Sequence, residues 1–177
     1  MKPFFAVLLL TMVCACAAAS TSRLPPLKTV PSVDLRRYLG TWYEISSYPQ
    51  WFQKGCVAVK AEYGLRDDGA IRVLNSCRKE AFDGQLKVAK GKAWVVDPLT
   101  NAKLKVRFFW PFSGDYWIID LGADYEYAVV GAPGRDYLWI LSRTPVMSTA
   151  VLDGILARLK AQGYDTSRLV PMKHPKQ

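Results

Sequence analysis

Between Trp42 and Ser142 the chain reads as eight short β-type segments separated by turns, a cadence that constrains the fold more than any other feature. The segments run over Trp42–Tyr48, Cys56–Leu65, Ala70–Arg78, Lys87–Val96, Ala102–Phe109, Asp115–Leu121, Tyr125–Val130 and Asp136–Ser142. Apolar and polar residues alternate within them, as in strands with one face buried. The connections carry turn chemistry. Arg66-Asp67-Asp68-Gly69 offers a glycine for positive φ, Asp97-Pro98-Leu99-Thr100-Asn101 and Ala132-Pro133-Gly134 are further turns, and Trp110-Pro111 interrupts the run. Strands at this steady spacing predict an antiparallel meander, and closing the meander into a barrel removes its edges.

Two helical signals flank the strands. Asp34–Leu39 predicts a short turn that caps one end of the domain. After the last strand, Ser148 is placed to cap a helix and Gly163 to stop it. Val151, Leu152, Ile155, Leu156 and Leu159 form its apolar face, Gly154 permits close approach to a strand, and Arg158, Lys160 and Gln162 fall to solvent. Such a helix either docks on the strands or lies on a membrane surface.

The first residues are a targeting segment and stay outside the fold. Lys2 precedes an apolar run from Phe4 to Val13, too short for a permanent membrane span. Val13-Cys14-Ala15-Cys16 resembles a lipobox, with cleavage before Cys16 and lipidation of that residue; ordinary cleavage within Ala17-Ala18-Ala19-Ser20 is the alternative. The expected organisation is a leader over 1–15, a proline-bearing linker over 16–31 and one domain over 32–177. About 160 residues then remain, enough for one sizeable core.

Lys and Arg number 24 against 15 Asp and Glu, for a net charge of +9. The basic residues are scattered along the strands of an exported chain, so nucleic acid is not an expected partner; anionic lipid fits better, and solubility alone is the plainer account. Of the 4 cysteines, Cys56 opens one strand and Cys77 closes the next, so the two meet at one end of a ladder. In an oxidising compartment they form a disulfide, the competing reading being two free thiols.

Three segments in order carry a family resemblance: Gly40-Thr41-Trp42-Tyr43-Glu44, Asp124-Tyr125-Glu126-Tyr127-Ala128-Val129-Val130-Gly131, and Leu141-Ser142-Arg143-Thr144-Pro145. Together they resemble the lipocalins, in particular the bacterial outer-membrane lipoprotein lipocalins of the apolipoprotein D type. Ala123 stands where that family usually has threonine before Asp124-Tyr125. The resemblance implies an all-β fold: an eight-stranded antiparallel up-and-down barrel with the C-terminal helix packed on its outside. It implies that Trp42 points into the closed end with Arg143 over its ring, a structural cation–π contact. Gly40, Tyr43, Asp124 and Tyr125 belong to the same structural motifs.

Alternation from Trp42 sends Glu44 and Ser46 inward, and alternation from Arg143 sends Leu141, Trp139 and Tyr137 inward. Phe108, Trp117, Ala128 and Val130 complete the expected wall. The pocket so built is apolar and aromatic, suited to a fatty acid, a lysophospholipid or a similar lipid. Glu44 either contacts a lipid head group or ordered water, or pairs with a neighbouring Tyr or Arg. Two connections, Pro49–Gly55 and Phe109–Phe112, are unusually aromatic. In lipocalins they rim the mouth, where they grip a ligand, touch a bilayer or form a homodimer contact, unless they fold back over the core.

The expected localisation is the outer membrane, facing the periplasm through the lipid on Cys16. No cofactor or metal site is expected, because no phosphate-binding glycine loop or ligand cluster occurs. Catalysis is not expected either. His174 is the one histidine, in a proline-flanked basic tail, and a disulfide between Cys56 and Cys77 leaves no barrel thiol. The alternative to a carrier is an interaction protein that uses its aromatic rim.

Overall fold

The computed structural model describes residues 24–176. The leader and the proposed lipidation of Cys16 lie outside them. In chain order the elements are α1 (Leu35–Tyr38), β1 (Gly40–Ser47), a 3-10 turn (Trp51–Gln53), β2 (Cys56–Leu65), β3 (Ile71–Lys79), β4 (Leu86–Val95), β5 (Lys103–Arg107), β6 (Gly114–Leu121), β7 (Tyr127–Gly131), β8 (Leu138–Ser142), α2 (Thr149–Ala161), a second 3-10 turn (Thr166–Arg168) and β9 (Val170–Pro171).

Each strand from β1 to β8 pairs antiparallel with the next, and β1 also pairs with β8. Gly40 faces Tyr63 of β2, while Glu44 faces Leu141 of β8. The sheet is therefore a closed up-and-down barrel of eight strands, as expected. At one end, α1 and the turns after β2, β4 and β6 close it. The turns after β1, β3, β5 and β7 surround the other end, the mouth.

Two apolar layers result from the alternation. Val73, Ile118, Ala128, Val130 and Leu141 pack inward around Trp42. Val129, Ile140 and Leu138 face outward, under Ile155 and Leu159 of α2. Strand β7 is buried on both faces, which is why Ala128-Val129-Val130 is a continuous apolar run. Burying Ile155 and Leu159 contributes about 1.5–3 kcal/mol each to docking the helix. Ser148 caps α2, its Oγ accepting from the Val151 N–H at 3.4 Å, and Gly163 ends it at φ +82°. No helix among the described residues is long and apolar enough to cross a membrane.

Several expectations need correction. Strand β7 begins at Tyr127 rather than Tyr125, because Tyr125 has φ +61° within the preceding turn. Strand β8 begins at Leu138, after Asp136 and Tyr137. Arg158 is exposed as expected, but it is also engaged: its Nε donates to Asp120 on β6 at 2.7 Å. Gln162 reaches the Ile119 carbonyl at 3.4 Å. The expected linker is docked from residue 24 onward. Leu27 is buried in the outer layer, Arg135 donates to the Pro25 carbonyl at 2.7 Å, and the Val30 N–H donates to the Ile118 carbonyl at 3.0 Å.

The C-terminal tail is part of the wall. Pairing of β1 with β2 stops at Tyr43 and Lys60, and residues 170–174 follow the seam beyond that point. The Met172 N–H donates to the Ile45 carbonyl at 2.9 Å, and the Ala58 N–H donates to the Lys173 carbonyl at 2.8 Å. His174, in the proline-flanked basic tail, lies edge-on to Tyr43 with its Nε2 2.7 Å from the Glu44 carbonyl. A two-residue strand carries too little periodicity to be seen in sequence.

Candidate functional site: the barrel interior and its mouth

The closed end is held by Arg143. Its guanidinium carbon lies 3.8 Å from the centroid of the Trp42 ring. It donates to the carbonyls of Thr41, Arg37 and Tyr125 at 2.9, 2.6 and 3.2 Å. Trp42 is fully buried and donates its Nε1–H to the Tyr38 carbonyl at 2.8 Å. Gly40 turns the chain into β1 at φ +93°, where a side chain would be strained. The Tyr125 hydroxyl accepts from the Asp34 N–H at 2.7 Å, and Asp124 stays exposed, 3.8 Å from Arg37. These motif residues form a staple that ties α1, β1 and β8 together.

Above Trp42 lies a cluster that the alternation argument missed. The phenols of Tyr38 and Tyr63 each hydrogen-bond the phenol of Tyr116, at 2.8 and 2.9 Å. Burial pushes the Tyr63 hydroxyl up to about 12 and holds Tyr38 and Tyr116 well above the usual phenol range, so all three are neutral in use. Three phenols carry three O–H protons, and two mutual bonds consume two of them. One donor is left over at the floor of the barrel. On β3, Asn75 Oδ1 is buried without a partner among the described residues. Tyr63 and Tyr116 were legible in principle: both share the parity of inward neighbours, Ala61 and Ile118.

Glu44 is buried, and desolvation raises its carboxyl above the ordinary glutamate range against two stabilising hydrogen bonds. Ser47 Oγ donates to Oε1 and Gln53 Nε2 donates to Oε2, both at 2.7 Å. Gln53 Oε1 in turn accepts from the Trp139 indole at 3.4 Å. Among the described residues neither a Tyr nor an Arg pairs with the carboxyl. Gln53 comes from the 3-10 turn at the mouth, so Glu44 pins a mouth loop to the wall.

Two expected wall residues do not face the interior. Ser46 turns outward because the register between β1 and β8 shifts between Glu44 and Ser46; its Oγ donates to the Val170 carbonyl at 3.0 Å, and Ser47 takes the inward place. Trp117 packs with the outer layer, and Lys103 Nζ lies 4.6 Å from its ring centroid. Its neighbours Tyr116 and Ile118 are the inward residues of β6. Ala128, Val130 and Leu141 belong to the inner layer, with Phe108 and Trp139 half-buried against it. Tyr137 lies at the mouth, stacked on Trp139 at 5.7 Å. The Phe108 ring crosses Gly91 so closely that a Cβ there would come within 2.9 Å of it.

The mouth is open on one side. Strand β5 pairs with β4 only over Lys92–Val95, so residues 86–90 of β4 are exposed on both faces. Lys87 pairs with Cys77 in that stretch, on the same side of the sheet as Ala89 and Gly91. The aromatic loops do not fold back over the core: Trp51 is 85% exposed, Phe109 75%, Trp110 81% and Phe112 77%. Cys56 and Cys77 form the expected disulfide at this end, S–S 2.05 Å. No metal-binding cluster occurs among the described residues.

Residues 33–174 match the profile described as a lipocalin-like domain. The outer membrane lipoprotein Blc of Escherichia coli K12 is 41% identical over 94% of this chain and 98% of its own length. Apolipoprotein D of Macaca fascicularis is 34% identical over 82% of this chain and 78% of its own length. Among solved structures, insecticyanin from Manduca sexta superposes with a TM-score of 0.69 at 22% identity, covering 87% of each chain, a likeness of fold.

Proposed function

Because the chain belongs to the family of lipocalin-like domains, we propose that it is a lipid carrier of the outer membrane, taking a fatty acid, a lysophospholipid or a similar single-chain lipid into the barrel. Binding of a small hydrophobic ligand follows from the family. The name borne by the Escherichia coli relative supports the outer membrane as the location, with the chain tethered through lipid on Cys16 and facing the periplasm. Lipocalins are in general binding proteins, and the disulfide leaves neither Cys56 nor Cys77 free to act as a thiol catalyst.

One observation carries this reading. Val106, Phe108, Tyr116 and Trp139 lie half-buried on the inner layer, beneath a mouth that is open at β4. An acyl chain laid along them leaves water, each CH₂ contributing about 0.8 kcal/mol. A modest chain then suffices for micromolar binding after the costs of association. The chain enters tail first. Lys87 on the lumen side of the mouth meets the carboxylate or phosphate of the head group, and the spare phenol proton faces the tail's end.

Native mass spectrometry of the mature protein, purified from membranes in mild detergent, tests the proposal when followed by extraction of bound lipid. A stoichiometric fatty acid or lysophospholipid is the expected result. An empty protein that refuses added acyl chains overturns it. The exposed aromatics favour a second reading, an interaction protein with no cargo. Trp139→Ala separates the two: a carrier loses lipid about tenfold or more, whereas an interaction protein keeps its partner.

A further inference from the structure

The basic residues are scattered in sequence but converge in space. Strands β3, β4 and β5 each carry three Lys or Arg, and none of them carries an Asp or Glu. These nine cations equal the net charge of +9, so the rest of the chain is balanced. Strands β7 and β8, which α2 covers, carry no charged residue at all. Ile71, Val73, Ala93, Leu104 and Val106 belong to the inner layer. Alternation therefore turns Arg72, Lys90, Lys92, Lys103, Lys105 and Arg107 to the outer face.

Register sets three of them side by side. Arg72 faces Lys92, and Lys92 faces Arg107. Adjacent strands lie about 4.8 Å apart, and like charges placed directly opposite destabilise a sheet. Two carboxylates offset part of the repulsion. Asp68 accepts from Lys92 Nζ at 2.8 Å, and Asp115 lies 3.0 Å from Lys105 Nζ. Among the described residues Arg72, Lys90, Lys103 and Arg107 have no carboxylate partner. The wall thus holds cations that the fold itself does not neutralise.

A shallow groove of about 450 Å³ opens in this face beside the turn after β2, lined by Asp68, Gly69, Lys92, Trp94 and Arg107 among others. The Arg107 guanidinium carbon lies 5.6 Å from the centroid of the Trp94 ring, and Lys105 faces Trp94 across the ladder. Lys92 spends one of its three N–H donors on Asp68. The groove therefore combines cations, an indole and a carboxylate. The cations suit a phosphate, the indole suits the C–H face of a sugar ring, and the carboxylate accepts from sugar hydroxyls. A single-stranded nucleic acid fits less well, because it needs an unbroken positive track. Asp68 and Asp115 interrupt that track at Lys92 and Lys105.

We infer that the outer wall of β3, β4 and β5 is a second binding site, which takes a phosphorylated oligosaccharide. Phosphate lies on the row Arg72–Lys92–Arg107 and a sugar ring lies against Trp94. The site is outside the lumen and stands whether or not the barrel carries lipid.

Calorimetric titration of the mature protein with pentamannose 6-phosphate tests this, with unphosphorylated mannopentaose and inorganic phosphate as references. The phosphorylated saccharide is expected to bind about tenfold or more tighter than either. Equal binding of inorganic phosphate, or no binding of the saccharide, overturns the proposal. Arg72→Gln/Arg107→Gln should weaken binding about tenfold or more. Trp94→Leu should weaken it about fivefold and leave inorganic phosphate within about twofold. Lys160→Gln, on the exposed side of α2, should leave it within about twofold; a loss equal to that of the double variant would mean general attraction to a basic protein and overturn the site. The double variant also relieves the row, so its urea midpoint should hold or rise, and a lowered midpoint would show that the cations are neutralised within the fold. Tighter binding of pentathymidylate or of phosphatidylglycerol vesicles, lost in the double variant, overturns the saccharide and assigns the face to nucleic acid or to an anionic leaflet.

Discussion

The two ends of the barrel are built from similar amounts of aromatic side chain and put them to opposite use. At the closed end Trp42, Tyr38 and Tyr63 are packed inward and Arg143 is spent on three backbone carbonyls. At the mouth Trp51, Trp110 and Phe112 stand in solvent, and the ladder itself is incomplete beyond Lys92. Aromatic area contributes to stability only where it leaves water on folding. Where it stays exposed it is available to a second surface. The closed end should thus govern folding, and the mouth should govern what enters and what is touched.

Substitutions can break that division, the largest effect coming first. Trp42→Ala removes a fully buried ring and the face beneath Arg143, and should cost about 3–5 kcal/mol in urea unfolding. A loss under 1 kcal/mol would show that the floor is not the keystone. Cys56→Ser/Cys77→Ser opens a loop with 21 residues of separation at the mouth. It should cost about 3 kcal/mol through the freedom returned to the unfolded chain. Lipid affinity of the part that stays folded should change little, so a large loss of affinity at full folding would give the mouth end a role in shaping the lumen.

Tyr116→Phe leaves the packing in place and removes the hub of the phenol cluster. Tyr38 and Tyr63 then each keep an unpaired O–H, two spare donors in place of one, so affinity for an ω-hydroxy fatty acid should rise about two- to tenfold, with a plain fatty acid unchanged. Equal effects on both ligands would mean that the tail does not reach the floor. The smallest effect concerns Glu44. Its carboxyl titrates above the ordinary value of 4.5 in the folded state. The folded protein then binds the proton more tightly than the unfolded chain does, and stability falls as pH rises from 4.5 through the folded value. Glu44→Gln should flatten that decline, as read by urea midpoints at mildly acidic and neutral pH. A variant that declines as steeply as the parent would assign the pH dependence to another group.

How much of this was legible depends on the range of each signal. The eight strands, the cap at Ser148 and the stop at Gly163 are local patterns, and each stands within a residue or two of its expected place, the later starts of β7 and β8 and the earlier end of β5 included. The stacking of Arg143 on Trp42 was available only from the family motifs, since 101 positions separate the pair. Ser46 and Trp117 were misplaced for different reasons. A bulge after Glu44 inverts the parity that had been carried forward from Trp42. Trp117 is expected in the wall with no parity argument behind it, and the parity of its neighbours Tyr116 and Ile118 places it out.

The sequence by itself determined the period-2 strands, their order, the cysteine pair and the motif that turns β1 into the closed end, because each is written in neighbouring residues or in a short spacing. Tertiary structure alone decided that the tail fills the seam between β1 and β2, that three phenols meet over Trp42, and that the N-terminal segment joins the barrel at its mouth. Those features depend on which distant segments barrel closure brings within hydrogen-bonding distance, and closure is a property of the whole sheet.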